Sequence, residues 1–573
     1  MDKLPQELVD RISSYLGLQD LRNTLFLSHQ FQYAAERYSA AFESYALTES
    51  NADKFLATYS DRRFNYLRYI HFSTEFPEPD SNDDEYNCRE SIEQLEALDQ
   101  EFTRQITFLF STMNAIEARQ ADVFDLGRIH LSIYTPKRSV NREEFCLHHT
   151  FVSWRVHLLS PATLPQLPSI QHLSVLAPEQ EFYSDGPDPA LRMLDHRILL
   201  DLSNKLPNLH SLTCKMGGGE WYGSFENEGL RHITRDWAGA RRDSRHDFGK
   251  ALLEGAISSL RHVELDLLYP LDQAEYIDQR GSLPNLVKPA AFDPFSTSLR
   301  VLSFQLRTMK LCVVADETLF WPAGGDGSPP AWPNLESVDV MFHVAAPSGS
   351  WYFQGLPGVG SVDGFDVTND MYPPLTTTDV DTHDDVLAME AKFDDQQRIV
   401  QYRVSPNERI LIPFLTASAR ALAHMPSLKD AQIWSPLTLN LSLLEDEEGY
   451  GSFDTTQVTN FSDADHAGLA WGMAYRKPGV KAFDSWNGED FCASRQLWWR
   501  VGKWRPGSAL HGLYRQIGRE RYGDQLKEYW DACMAGEGLS YREDFEMFRL
   551  CLSHRMLVCL DATTGDHLKP YGG

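Results

Sequence analysis

The chain is short of positive charge, of paired cysteines and of long apolar runs. Its 53 Lys and Arg stand against 81 Asp and Glu, a formal net charge of −28. That deficit works against nucleic acid or an anionic membrane surface as a partner, because phosphate contacts need clustered basic side chains. The eight cysteines (Cys88, Cys146, Cys214, Cys312, Cys492, Cys533, Cys551 and Cys559) are scattered and form no CxxC. Such spacing suits reduced thiols better than a disulfide framework. No stretch approaches the ~18 apolar residues that a membrane-spanning helix needs. Met1-Asp2-Lys3 leads into a helix start with no apolar signal region behind it. The expectation is a protein of the cytoplasm, the nucleus or both, to which the sequons at Asn440 and Asn460 add little.

Catalytic signatures are also missing. There is no GxxxxGK[ST] phosphate loop, no HExxH and no GxSxG elbow. Gly358-Val359-Gly360 lacks the spacing of a dinucleotide fingerprint. Gly217-Gly218-Gly219 follows a strand-like segment and reads as a tight turn. Cys146 with His148 and His149 has no second ligand pair at zinc spacing. Cys551, His554 and Cys559 fall on an apolar helical pattern and read as core. The expectation is a non-catalytic protein with no cofactor and no metal.

What is present is apolar patterning. Hydrophobic residues make up 42% and aromatics 12%, enough for substantial cores. A chain of 573 residues calls for more than one core at ~150 residues each. The first unit is LPQELVDRISSYLGLQDLRNTLFLSHQFQYAAERY, residues 4–38. Pro5 suits a first helical turn, and Glu7 complements the helix dipole there. Leu8, Ile12, Tyr15 and Leu16 then recur on one helical face. Gly17 ends this helix, Asp20 is placed to cap a second carrying Leu21 and Leu25, and Ser28 a third carrying Phe31, Ala34, Ala35, Tyr38 and Phe42. Forty residues rarely bury enough surface to fold alone, so this unit must pack on the rest of the chain, on a partner, or on both.

Leu4-Pro5-x-Glu7-Leu8, Ile12, Leu16, Asp20-Leu21, Ser28 and Phe31 resemble the F-box in order and spacing. Leu27-Ser28 replaces the frequent Val-Ser, and Phe31 stands where Trp is common. The resemblance covers about forty residues. It implies a three-helix docking module that binds a Skp-type adaptor and, through it, a cullin-based ubiquitin ligase. Leu4, Pro5, Leu8, Ile12, Leu16 and Leu21 would then contribute to the adaptor surface, with Phe31 at least partly internal. The implied function is the substrate-recognition subunit of a Skp–cullin–F-box ligase. The alternative is an F-box scaffold that acts without ubiquitination.

Beyond residue 60 an apolar-x-x-apolar-x-apolar motif recurs: LRYIHFS from Leu67, LGRIHLSI from Leu126, IQHLSVL from Ile170 and LHSLTCKM from Leu209. It returns as LRHVELDLL from Leu260, LRVLSFQL from Leu299, LESVDVMF from Leu335 and LKDAQIW from Leu428. Each alternates like a strand with one face buried, and Leu415 to His424 reads as helix before the last. The motif resembles a degenerate leucine-rich repeat. By subtraction of the starting positions its period is irregular, 36 to 59 residues and 93 before the last, against ~20–29 for the regular form. This predicts an α/β fold: an N-terminal three-helix F-box, then an open, curved, leucine-rich-repeat-like solenoid over 47–440. A closed barrel fits the unequal spacing less well. The target protein would bind on the loops and the concave face.

Two acidic stretches, near 75–90 and over 346–395, read as solvated loops. Residues 441–573 read as an α+β extension packed on the repeats, with strands at Leu469–Gly479 and after Arg495 and a helix after Pro506. The string W-x-V-G-x-W-R-P from Trp499, MPSL at Met425 and WYF at Trp351 are similar to stretches of fungal-type F-box proteins. Trp498, Trp499 and Trp504 with Arg500, Lys503 and Arg505 have the make-up of a nucleic-acid stacking platform. In so acidic a chain they read instead as strand aromatics packing on their neighbours.

Overall fold

The computed structural model describes residues 4–77, 92–120, 128–138, 155–177, 193–218, 238–255, 257–324, 329–355, 360–372, 400–440, 466–481, 491–530, 540–542 and 545–546. Its centre is one large sheet. The strands are β1 (Ser44–Leu47), β2 (Tyr69–Phe76), β3 (Ile129–Arg138), β4 (Ile170–Leu176), β5 (Ser211–Gly217), β6 (His262–Tyr269) and β7 (Thr308–Val313). Then follow β8 (Ser337–Phe342), β9 (Asp430–Leu439), β10 (His466–Arg476), β11 (Arg495–Arg500), β12 (Leu526–Trp530) and a two-residue branch on β10, β13 (Ser540–Tyr541). Spatial order follows chain order from β1 to β12, and these two end strands do not pair with each other. The sheet is therefore open, not a closed barrel. Each pairing from β1 to β9 is parallel. Parallel neighbours need long crossovers, which accounts for the wide spacing of the strand motifs.

The register explains the alternation in the sequence. Ile70, Leu131, Leu173, Leu212, Val263, Met309, Val338 and Ala431 lie side by side across β2 to β9. All are buried. One residue earlier on each strand, Tyr69, His130, His172, Ser211, His262, Thr308, Ser337 and Asp430 form a second row, half-buried and pointing to the opposite face. One face is thus an apolar ladder and the other a polar one.

Helices connect and cover the strands. The longer ones are α1 (Gln6–Ser13), α2 (Leu18–Thr24), α3 (His29–Tyr38), α4 (Ala52–Tyr59), α5 (Ile92–Glu117), α6 (Arg197–Ser203), α7 (Ala238–Glu254), α8 (Pro294–Ser303), α9 (Glu408–Ala423) and α10 (Ser508–Gln516). Packing runs α4 on α5, α6 on α7, α7 on α8 and α9 on α10, with α5 also against β2. One apolar cluster extends from Leu47 to Phe545.

Seven of the eight repeat motifs contain a strand; LRVLSFQL does not. Its first five residues complete α8, and the strand is the next segment, β7. Asp293 caps this helix, its carboxylate accepting from the Ser296 backbone N–H at 3.1 Å, and Pro294 stands at the first helical position. Phe295, Leu299 and Leu302 then bury one helical face.

The C-terminal strands do not pack on the sheet's face but extend its edge. β10 runs antiparallel to β9 from Asp430↔Arg476 to Leu437↔Leu469, and β11 follows antiparallel to β10. The start of the stretch expected as a loop from Ala346 is buried as well: Trp351, Tyr352 and Phe353 join the core, their aromatic bulk outweighing the surrounding Gly and Asp. Residues 373–399 lie outside the described residues, as do 78–91 of the first acidic stretch, Cys146, His148 and His149, and Cys551, His554 and Cys559. At Gly217, φ is 94° and an added Cβ would lie 2.5 Å from the Leu267 carbonyl oxygen. That glycine serves a close approach of β5 to β6.

Candidate docking site

Apolar surface on the described residues is concentrated in the first three helices. Pro5 stands at the N-cap of α1, with φ −58°, and Glu7 in its first turn. The second helix starts from Gly17, so Asp20 sits within its first turn and is not its cap. Ser28 caps α3 as its spacing predicts, its Oγ accepting from the Phe31 N–H at 3.3 Å. This helix ends at Tyr38 because Ala40 adopts φ 55°. Phe42 therefore lies beyond the helix, packed against the main core.

Val9, Phe31 and Ala34 form a cluster of their own, separate from the sheet's core. Even with the buried Leu21 and Ala35 beside it, the interior of this unit is very small. Of the side chains singled out for docking, Leu4, Pro5, Leu8 and Ile12 are exposed, with Leu8 at 48% and Ile12 at 45%, and Leu16 is half-buried. Leu21 is only 2% exposed and belongs to the interior: it follows Gly17 by four residues on the inward side of α2. The outer face carries further large apolar residues that the motif did not single out for docking. Tyr15, Leu18 and Leu27 are exposed, and Phe26 is 94% exposed. The signal for Phe26 and Leu27 in the sequence is the run Leu25-Phe26-Leu27 just before the Ser28 cap. Leaving so many large apolar groups in water is unfavourable at about 25 cal/mol per Å².

Polar contacts fasten this unit. Arg37 pairs with Asp10 at 3.2 Å, and Gln6 donates to the Gln30 carbonyl, both joining α1 to α3. Glu36, almost fully buried, accepts from Arg62 and Arg63 at 2.7 Å each, holding α3 to the turn ahead of β2. The same guanidiniums cover the Tyr33 and Phe42 rings at 3.8 and 4.3 Å. Burial pushes the Glu36 carboxyl up, but Arg63 and Arg62 outweigh it and hold the group below its ordinary value.

The tryptophan cluster packs inward. Trp498 stacks on Tyr529 at 3.8 Å and Trp499 on Trp530 at 5.0 Å, across β11 and β12. Both tryptophans are buried, while Trp504 is half-buried. No group of three metal-ligating side chains occurs among the described residues, and no helix among them is long and apolar enough to cross a membrane. No protein-family model matches the chain, and no curated protein matches it significantly.

Proposed function

We propose that this chain is an F-box protein, the substrate-recognition subunit of a Skp–cullin–F-box ubiquitin ligase. One observation carries the reading. Residues matching the F-box pattern fall on three short helices whose own interior is very small and whose outer face leaves Leu4, Leu8, Ile12, Tyr15, Leu18, Phe26 and Leu27 exposed. A unit of this kind gains its missing burial from a partner, here a Skp-type adaptor that bridges to cullin. The ordered sheet, with strands in chain order and a polar face in register, supports the leucine-rich-repeat-like reading of the remainder. Its polar row offers hydrogen-bonding side chains to a target protein. The mechanism is proximity: the target is held at high effective concentration beside a ubiquitin-charged enzyme that other subunits supply.

The test uses the purified full chain and a Skp-type adaptor. Wild type is expected to bind, and Leu8→Asp with Ile12→Asp to abolish binding while leaving the melting temperature nearly unchanged, because both side chains are half in water already. Failure of the wild type to associate would refute the reading.

A further inference from the structure

A pocket of about 380 Å³ opens where the helical unit meets the sheet, away from the apolar face described above. Its walls include Arg37 and Tyr38 of α3, Glu43 ahead of β1, Tyr66 and Arg68 ahead of β2, and Arg128 ahead of β3. Three guanidiniums from three separate elements line one small space in a chain whose net charge is −28. Two carboxylates line the pocket as well, Glu36, which is committed to Arg62 and Arg63, and Glu43, and Arg37 also pairs with Asp10. Arg68 is half-buried, and its side chain makes one hydrogen bond among the described residues, from Nη1 to the Leu67 carbonyl at 2.8 Å. Burial, then the like charge of Arg128, pull the Arg68 guanidinium down; Glu43 opposes them and Arg37 adds to them. Like charges gathered in a partly desolvated space are relieved most by a bound anion.

We propose that this pocket is a binding site for a phosphate group, either the free dianion or a phosphate monoester, held by Arg68 and Arg128 with Arg37 at the rim. A flat carboxylate engages one guanidinium fork. A tetrahedral dianion accepts hydrogen bonds from several directions at once, which suits donors arriving from three elements. The pocket exceeds the volume of phosphate alone, and the Tyr38 and Tyr66 rings give an esterified group something to lie against. The site does not depend on the adaptor reading.

Titration calorimetry on the full chain tests it, with inorganic phosphate, O-phosphoserine and acetate as probes. Phosphate is expected to bind and acetate not to compete. Arg68→Ala and Arg128→Ala are each expected to weaken binding about tenfold, the scale of a lost hydrogen bond between charged groups. Arg68→Lys, which keeps the charge and loses the fork, is expected to fall between. Tighter binding of O-phosphoserine assigns the site to an ester, and tighter binding of inorganic phosphate to the free ion. Arg37→Ala, at the rim, carries the same expectation if Arg68→Ala does not fold. No phosphate binding by wild type, affinity unchanged in the alanine variants, or acetate binding as tightly as phosphate would each overturn the assignment.

Discussion

Glu36 shows how one side chain decides the placement of a whole unit. It is buried at the end of a short helix, and its oxygens reach two arginines that lie more than twenty residues further on. Replacing it by Gln leaves both guanidiniums without their anion. Breaking a fully buried pair costs about 3–5 kcal/mol; with each arginine side chain about a third exposed, screening reduces this to about 2 kcal/mol. Denaturant unfolding of Glu36→Gln measures that loss. The pH sign follows from the depressed carboxyl: its contribution is complete above the unfolded value of 4.5 and is lost as pH falls through the lower folded one. Wild type therefore loses more stability below pH 4.5 than Glu36→Gln. None of this was legible in QYAAERY, where Glu36 looks like one more surface charge. Helical spacing made the shared face of Leu8 and Ile12 legible, but that it points outward, and that Phe31 lies inside, followed only from the resemblance to the F-box. Leu21 shares the motif but not the exposure, and only the packing of α2 on α3 shows it.

At the scale of elements, strand alternation was a reliable guide wherever a buried parallel strand imposed it, as in β2 to β6. It misled at LRVLSFQL, where Leu299 and Leu302 satisfy a helical face equally well and the Asp293-Pro294 start decides the outcome. The polar row of the sheet carries its own consequence. Adjacent strands bring His130 and His172 to 5.7 Å, and His210 at the start of β5 to 4.9 Å from His262. His130 bonds to the Ser174 hydroxyl and His262 to the Thr308 hydroxyl. Burial first, then the neighbouring histidines His172 and His71, lower His130 to about 4; burial, then His210 and Arg307, lower His262 to about 4. A depressed histidine contributes stability above its unfolded value of 6.5 that is lost as pH falls from there toward 4. The melting temperature is expected to fall across that window, and the double variant His130→Asn, His262→Asn to flatten the fall. An equally steep profile in the double variant would count against this assignment.

For the whole molecule, the main core begins at Leu47 and runs to Phe545, while the first helices hold a separate cluster. A chain lacking residues 1–38 is therefore expected to keep cooperative unfolding and far-ultraviolet strand content while losing adaptor binding. The isolated segment 1–46 is expected to lack stable structure, having too little apolar surface to bury. Loss of cooperative unfolding in the truncated chain would show instead that the helices belong to the central core. The amino-acid sequence by itself determined the local choices: the cap at Ser28, the alternating strands, and the shared apolar face of α1. Each rests on interactions within a few residues, which spacing alone reveals. Tertiary structure alone decided that the C-terminal strands extend the same sheet, that Trp351 is core, that Glu36 meets Arg62 and Arg63, and that Arg37, Arg68 and Arg128 surround one pocket. Those contacts join residues tens to hundreds of positions apart, and only the completed sheet register brings them together.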